Sequence, residues 1–234
     1  MTSIHHKSTA DFVTASIRQM ILTGELKPGM RVDQNEMARL LDISRHPVRQ
    51  AIERLAERGF VQSRPHKSVT VSELSVKDMR QLYAARQVLE DLAMRLAWPR
   101  YDASFVAAAE ALVEAMDRAR HIEDLDVYMI HNYDFHMGFY RPCGNVHVIR
   151  VIESLFQLSE RYQRTALMLG DQTARTPGAR SRQAQDEHRR MLDAVRSGDV
   201  EQLLEACTRH NEGTMEAVRA KLGDEPRQMS HAEP

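Results

Sequence analysis

Cysteine is nearly absent. The 234-residue chain holds only Cys143 and Cys207, too few for a disulfide scaffold and without the paired spacing of a thiolate zinc site. Both are expected to be inert or buried thiols. Long apolar runs are missing too: there is no stretch of about 18 uncharged apolar residues, and the opening MTSIHHKSTADF has no basic-then-apolar secretory pattern. A soluble, cytoplasmic protein with no membrane partner is the expectation. Net charge is close to nil at −1, which by itself names no partner. What the chain does have is globular composition, 42% apolar and 28% charged residues, which excludes disorder throughout. Its length suits two ordinary domains.

The charge is unevenly spread. Residues 1–72 carry eleven Lys/Arg against seven Asp/Glu, a balance of +4, and residues 73–234 carry 21 against 26, a balance of −5. A basic front on an acidic remainder suits a nucleic-acid reader with a separate control domain, although chance also produces such an imbalance.

Helical periodicity runs over residues 9–23 (Phe12, Val13, Ile17, Met20, Ile21) and ends at Gly24, and a turn follows at Lys27-Pro28-Gly29. A short helix is expected from Gln34 to Leu41 with Met37, Leu40 and Leu41 inward. Another is expected over residues 45–58, with Ser44 as N-cap, Pro47 tolerated in the first turn, and Val48, Ile52 and Leu55 on one face. Residues 60–62 and 68–71 read as a small hairpin around the basic turn Ser63-Arg64-Pro65-His66-Lys67. Beyond a linker near residues 72–75 the strand signals stop. Ser75-x-x-Asp78 has the form of a capping box, and an apolar pattern (Met79, Leu82, Val88, Leu89, Leu92, Leu96) leads to Trp98-Pro99. Further helices are expected at about 102–120, 124–140, 145–169, 180–197 and 199–222. The fold class is therefore mainly α: a winged helix-turn-helix over residues 1–72, an all-α antiparallel bundle over 73–222, and a disordered tail over 223–234.

A helix of that kind fits a major groove. Arg45, His46 and Arg49 fall on the outer face of its first turns, and arginine suits bidentate contact with guanine O6 and N7. The free N-terminal amides after Ser44 can hold a phosphate. Arg64, His66 and Lys67 stand at the hairpin tip, in reach of a minor groove or backbone, while Arg39, Arg54 and Arg58 are weaker candidates. Any one of these arginines is equally well read as a solvated charge; the cluster together points to double-stranded DNA. The stretches Gly24–Gly29, Glu36–Leu41 and Ser44–Val61 closely resemble the N-terminal domain of the GntR family of bacterial transcription regulators. The resemblance implies base and phosphate contacts at Arg45, His46 and Arg49 and a wing around His66. His46 departs from the threonine usual in that family, which affects operator sequence rather than activity.

In the acidic part, Asn132 and His136 are four residues apart on a helix, which leaves their side chains about 40° apart on one face. Asp134 lies about 160° from His136 and is badly placed. His188 and His210 each lie about ten residues from the Ser197-Gly198 turn, so antiparallel helices bring them level. Asn132, His136, His188 and His210 would then hold a divalent ion with open positions, zinc first, nickel or another borderline metal next. Each histidine alone reads as a surface or hydrogen-bonded residue. Asn132-x-x-Phe135-His136, Gly144-Asn145, Glu187-His188, Asp199 and His210 resemble the all-helical FCD domain of the FadR subfamily, whose metal-binding members use an Asp or Asn, a His four residues later and two more His. Arg86, four residues before Glu90, is the candidate for a small carboxylate effector shared with the metal. The competing reading is a surface i,i+4 salt bridge, and the resemblance favours the effector role by implying an arginine near the metal pocket. Tyr83 reads as core.

The leading expectation is a ligand-responsive repressor, homodimeric so as to read two half-sites of a pseudo-palindromic operator. Two alternatives stay open: a metal-dependent hydrolase using the three imidazoles, for which only Glu187, pointing off the His188 face, is offered as general base, and a DNA-binding protein with a purely structural ion.

Overall fold

The computed structural model of the chain describes residues 8–62, 68–119, 124–167 and 179–223. It divides into two compact units, Met1–Leu74 and Ser75–Pro234. The expectation for the tail falls on residues 224–234, outside the described residues, as do Arg64, His66 and Lys67 of the hairpin tip.

The first unit is three helices and a hairpin: α1 (Thr9–Thr23), α2 (Gln34–Leu40), α3 (Arg45–Glu57), β1 (Val61–Gln62) and β2 (Thr70–Val71). Helix α1 begins with a capping box in which Ser8 and Asp11 satisfy each other's backbone amides, and it ends at Gly24 with φ 81°. That left-handed cap has no Cβ to strain it. The strands pair antiparallel, Val61 opposite Val71, and residues 29–32 line the far edge of β2 through Gly29 N to Val71 O, Val71 N to Met30 O and Val32 N to Val69 O. The wing is thus anchored on both sides. Val13, Ile17, Val48, Ile52, Leu55, Phe60 and Val71 close the core. Two apolar residues counted toward that face are not in it, since Phe12 and Leu40 are 55% and 56% exposed. Val13 and Ala38 take the buried positions, because the buried stripes of these helices lie one residue from Phe12 and two from Leu40.

The second unit is helical among its described residues: α4 (Val76–Ala97), α5 (Ala103–Arg118), α6 (Leu125–Tyr140), α7 (Val146–Leu167), α8 (Ala179–Ser197) and α9 (Val200–Leu222). Helices α8 and α9 form an antiparallel pair about the Ser197-Gly198 turn, where Gly198 has φ 73°. Ser75 caps α4 by accepting from the Asp78 amide, but the Asp78 carboxylate accepts from the Tyr162 hydroxyl at 2.7 Å. Only half of the expected capping box is made, because a tertiary partner takes the acid. Helix α4 also buries a different face than its leucines suggest: Met79, Tyr83, Arg86, Glu90, Ala93, Met94 and Ala97 are buried, while Val88, Leu92 and Leu96 are 69%, 43% and 43% exposed. Two charges sit inside and an apolar stripe outside. Among the described residues no helix is long and apolar enough to cross a membrane.

Candidate functional site

On α3 the anchors Val48 and Ile52 are buried, which turns Arg45, His46 and Arg49 outward on its first turns. Ser44 occupies the N-cap position with extended backbone, yet its hydroxyl makes no capping hydrogen bond. The leading amides of α3 therefore lack that side-chain partner. Arg39, Ser44 and Arg45 line one open groove with Asn35 and Ile43. Among the described residues Arg49 has only a loose exposed contact with Glu53, 3.9 Å, which leaves it able to turn to a phosphate or base. Arg54 is differently placed. It is ion-paired with Asp11 across α1 and α3, so this weaker DNA candidate serves the packing of the unit.

In the helical unit His136 of α6, His188 of α8 and His210 of α9 converge, with ring centroids 5.2 Å (136–188), 5.0 Å (136–210) and 4.7 Å (188–210) apart. One ligand atom from each lies within 4.8 Å of the others. All are buried, His188 completely. Neither ring nitrogen of His188 has a hydrogen-bond partner among the described residues, an arrangement that costs a protein several kcal/mol per polar atom in an apolar medium unless something else engages it. Asn132 lines a narrow cavity of about 20 Å³ together with Tyr83, Arg86, Gln163 and two of the three imidazoles, His136 and His210. Its amide nitrogen donates to Gln163 Oε1 at 3.4 Å, which leaves its oxygen as the atom to offer an ion. Asp134 is exposed.

Arg86 is not at the surface. At 2% exposure it donates from Nε to Glu90 Oε1 and from Nη1 to Ser159 Oγ, both at 2.8 Å, with its guanidinium carbon 4.8 Å and 4.7 Å from the Tyr83 and Phe156 ring centres. The i,i+4 pair with Glu90 exists but is buried, which overturns the surface-bridge reading, because α4 packs this face against α7 and α9. The Tyr83 hydroxyl, read from the sequence as core, borders the cavity and makes no hydrogen bond among the described residues.

Glu187 needs a correction as well. It does not point away from the site: it is buried, and its Oε2 lies 2.9 Å from His210 Nδ1. The buried positions of α8 span about half of its circumference, so Glu187 and His188, about 100° apart, both face neighbours. Arg180, which no local pattern singled out, reaches the same carboxylate. The one signal available was its spacing, since two helical turns separate it from Glu187.

Burial holds the imidazoles of His136 and His188 well below the usual pKa of 6.5, with His210 adding to the effect on both, so they stay neutral and able to bind a metal. Burial also lowers His210, against the opposing contact with Glu187. In the unfolded chain His136 and His188 take a proton below about pH 6.5; in the folded chain burial pushes that protonation to much lower pH. The unfolded state therefore binds more protons in acid, and the metal-free unfolding free energy should fall between pH 7 and pH 5, by up to about 1.4 kcal/mol per pH unit for each of His136 and His188. Urea unfolding in chelator across that range measures it, and a flat profile would contradict the neutral-imidazole picture.

A winged helix-turn-helix in one unit and a buried cavity lined by imidazoles in the other are the parts of a DNA-binding transcription regulator with a separate control domain. Residues 9–71 match the bacterial regulatory proteins of the gntR family, and residues 81–213, more than half of the chain, match the FCD domain. The chain belongs to the GntR family of bacterial transcription regulators and carries an FCD domain. Among similar proteins are the HTH-type transcriptional regulator YdhC of Bacillus subtilis, 27% identical over 79% of this chain and 80% of its own, and a probable D-xylose utilization operon transcriptional repressor of Paenarthrobacter nicotinovorans, 29% identical over 86% and 82%. The solved structure of Escherichia coli McbR/YncC shares the fold, with a TM-score of 0.72 at 21% identity, covering 92% of this chain and 99% of that one. The hydrolase alternative is set aside: the matches are regulators, and both oxygens of Glu187, its sole proposed base, already accept hydrogen bonds.

Proposed function

We propose that the chain is a homodimeric, cytoplasmic repressor of the FadR subfamily whose operator binding is controlled by a small carboxylate held at a metal in the helical unit. Asn132, His136, His188 and His210 would hold the ion, zinc first and nickel or another borderline divalent metal next. The observation that carries the metal is His188: a completely buried imidazole with both nitrogens unpartnered fits a residue whose partner is an ion. When bound, the ion would act as an electrophilic anchor for a carboxylate oxygen. Arg86, with its charge buried beside the cavity, would attract the same anion, and the free Tyr83 hydroxyl would donate to it.

A cavity of about 20 Å³ has room for about one occupant the size of a water. An organic acid therefore enters only as lining side chains give way, and its binding selects an opened bundle. That differential is what a ligand must have to shift a regulator between states.

On the DNA side, Arg45, His46 and Arg49 would read bases in the major groove. Ser44 and Arg39 would hold phosphates, and Arg64, His66 and Lys67 would reach the flanking backbone or minor groove. The apolar stripe Val88, Leu92 and Leu96 on α4 offers a second copy a helix-packing face, as reading two half-sites of a pseudo-palindrome requires.

The test is a thermal-shift screen of small organic acids with and without zinc, followed by titration of the hits against the DNA upstream of the gene. Acids that raise the melting temperature only in the zinc-loaded protein and release that DNA are the expected result. If no acid does so, the effector reading fails; if chelator lowers stability without altering any acid's binding, the ion is structural.

A further inference from the structure

The second unit contains a buried polar network that the metal reading does not use. Glu187 Oε2 accepts from Arg180 Nη1 at 2.8 Å and lies 2.9 Å from His210 Nδ1, while Oε1 accepts from Gln183 at 2.9 Å. Arg180 Nη2 donates to the His210 carbonyl at 2.8 Å and to Thr214 Oγ1 at 3.1 Å. Arg180, Glu187 and His210 are all at least nine-tenths buried. The helices approach closely here because residue 213 has no side chain: a Cβ on Gly213 would stand 3.0 Å from Arg180 Nη1 and 3.2 Å from Glu187 Oε1.

We propose that Glu187 is a positioning residue that holds His210 in the tautomer with the proton on Nδ1, so that Nε2 keeps its lone pair for an ion shared with His136 and His188. The inference rests on the metal reading above and adds an order to it. Two groups compete for Nδ1, the Glu187 carboxylate at 2.9 Å and Arg180 Nη2 at 3.5 Å. The second contact is long, and Nη2 already has the His210 carbonyl at 2.8 Å, so Nδ1 donates to the carboxylate. A histidine so held is oriented before the ion arrives, and its free nitrogen is more basic. His188 has no such partner. His210 is therefore the ligand presented ready-made, and His188 takes up its geometry from the ion. Arg180 and Gln183 keep the carboxylate turned toward His210, so Glu187 acts through the imidazole without adding a negative ligand of its own.

The experiment uses the full chain and zinc itself. In metal-free wild-type protein labelled with 15N-histidine, the ring signals of His210, assigned by comparison with His210→Asn, should report a proton on Nδ1 and a bare Nε2. Zinc affinity by chelator competition should then fall about 10- to 100-fold in Glu187→Gln, whose amide can donate to Nδ1 and so place the imidazole proton on Nε2. Circular dichroism and melting of the metal-free variant check that it is folded. A proton on His210 Nε2 in the wild type, or equal zinc affinity in a folded Glu187→Gln, would overturn the proposal while leaving the metal reading intact. No zinc uptake by the wild type would overturn both. If Glu187→Gln does not fold, the wild-type tautomer decides alone.

Discussion

Replacing Arg45 and Arg49 together by alanine should lower affinity for the operator by about 10²–10⁴-fold, since each bidentate guanine contact is worth roughly 1–3 kcal/mol and the two lie on one face of α3. The fold should be unaffected. Both side chains are exposed, Val48 and Ile52 still anchor the helix, and alanine is the best helix former. Arg49 loses only its loose contact with Glu53. Fluorescence anisotropy at one fixed salt concentration, with the upstream DNA and an unrelated duplex, separates base reading from phosphate attraction. Loss on the upstream DNA well beyond the loss on the unrelated duplex is expected. Full sequence-specific affinity in the double variant would remove α3 from the recognition role.

His188→Leu should separate two properties that usually move together. A four-ligand zinc site supplies roughly 10–16 kcal/mol, so one ligand's share is about 3 kcal/mol, or close to 10²-fold in affinity. Zinc affinity should fall by that amount or more. Without metal the same change should leave stability equal or raised, because it replaces a buried imidazole whose two nitrogens have no partner among the described residues by an apolar side chain of similar size. Zinc titration and melting curves in chelator and in zinc give both readings. A metal-free variant several degrees less stable than the wild type would mean that His188 contributes to packing, and the argument for an ion from its unpartnered nitrogens would be lost; unchanged zinc affinity would remove His188 from the ligand set.

Sequence and structure contributed unequally to these two sites. The segment proposed to face DNA is local: Ser44, Arg45, His46 and Arg49 are consecutive or one turn apart, so helical spacing alone sets which of them share a side with Val48 and which oppose it. The same holds for Asn132 and His136 on α6. The meeting of His188 with His210 follows from a short turn between two helices, which fixes the register of an antiparallel pair.

Periodicity states how far apart two side chains point around one helix and leaves open which direction is inward. On α4 that direction ran against hydrophobicity: Arg86 and Glu90 went in and Val88, Leu92 and Leu96 stayed out. On α8, Glu187 turned toward His210 because helices press on more than one side, and Arg180 joined it across a gap kept open by Gly213. Spacing and composition alone determined the two-part architecture, the outward face of α3 and the set of imidazoles able to meet. The tertiary structure decided what surrounds those imidazoles, because the burial of a charge depends on neighbours far away in the chain, and no local pattern records them.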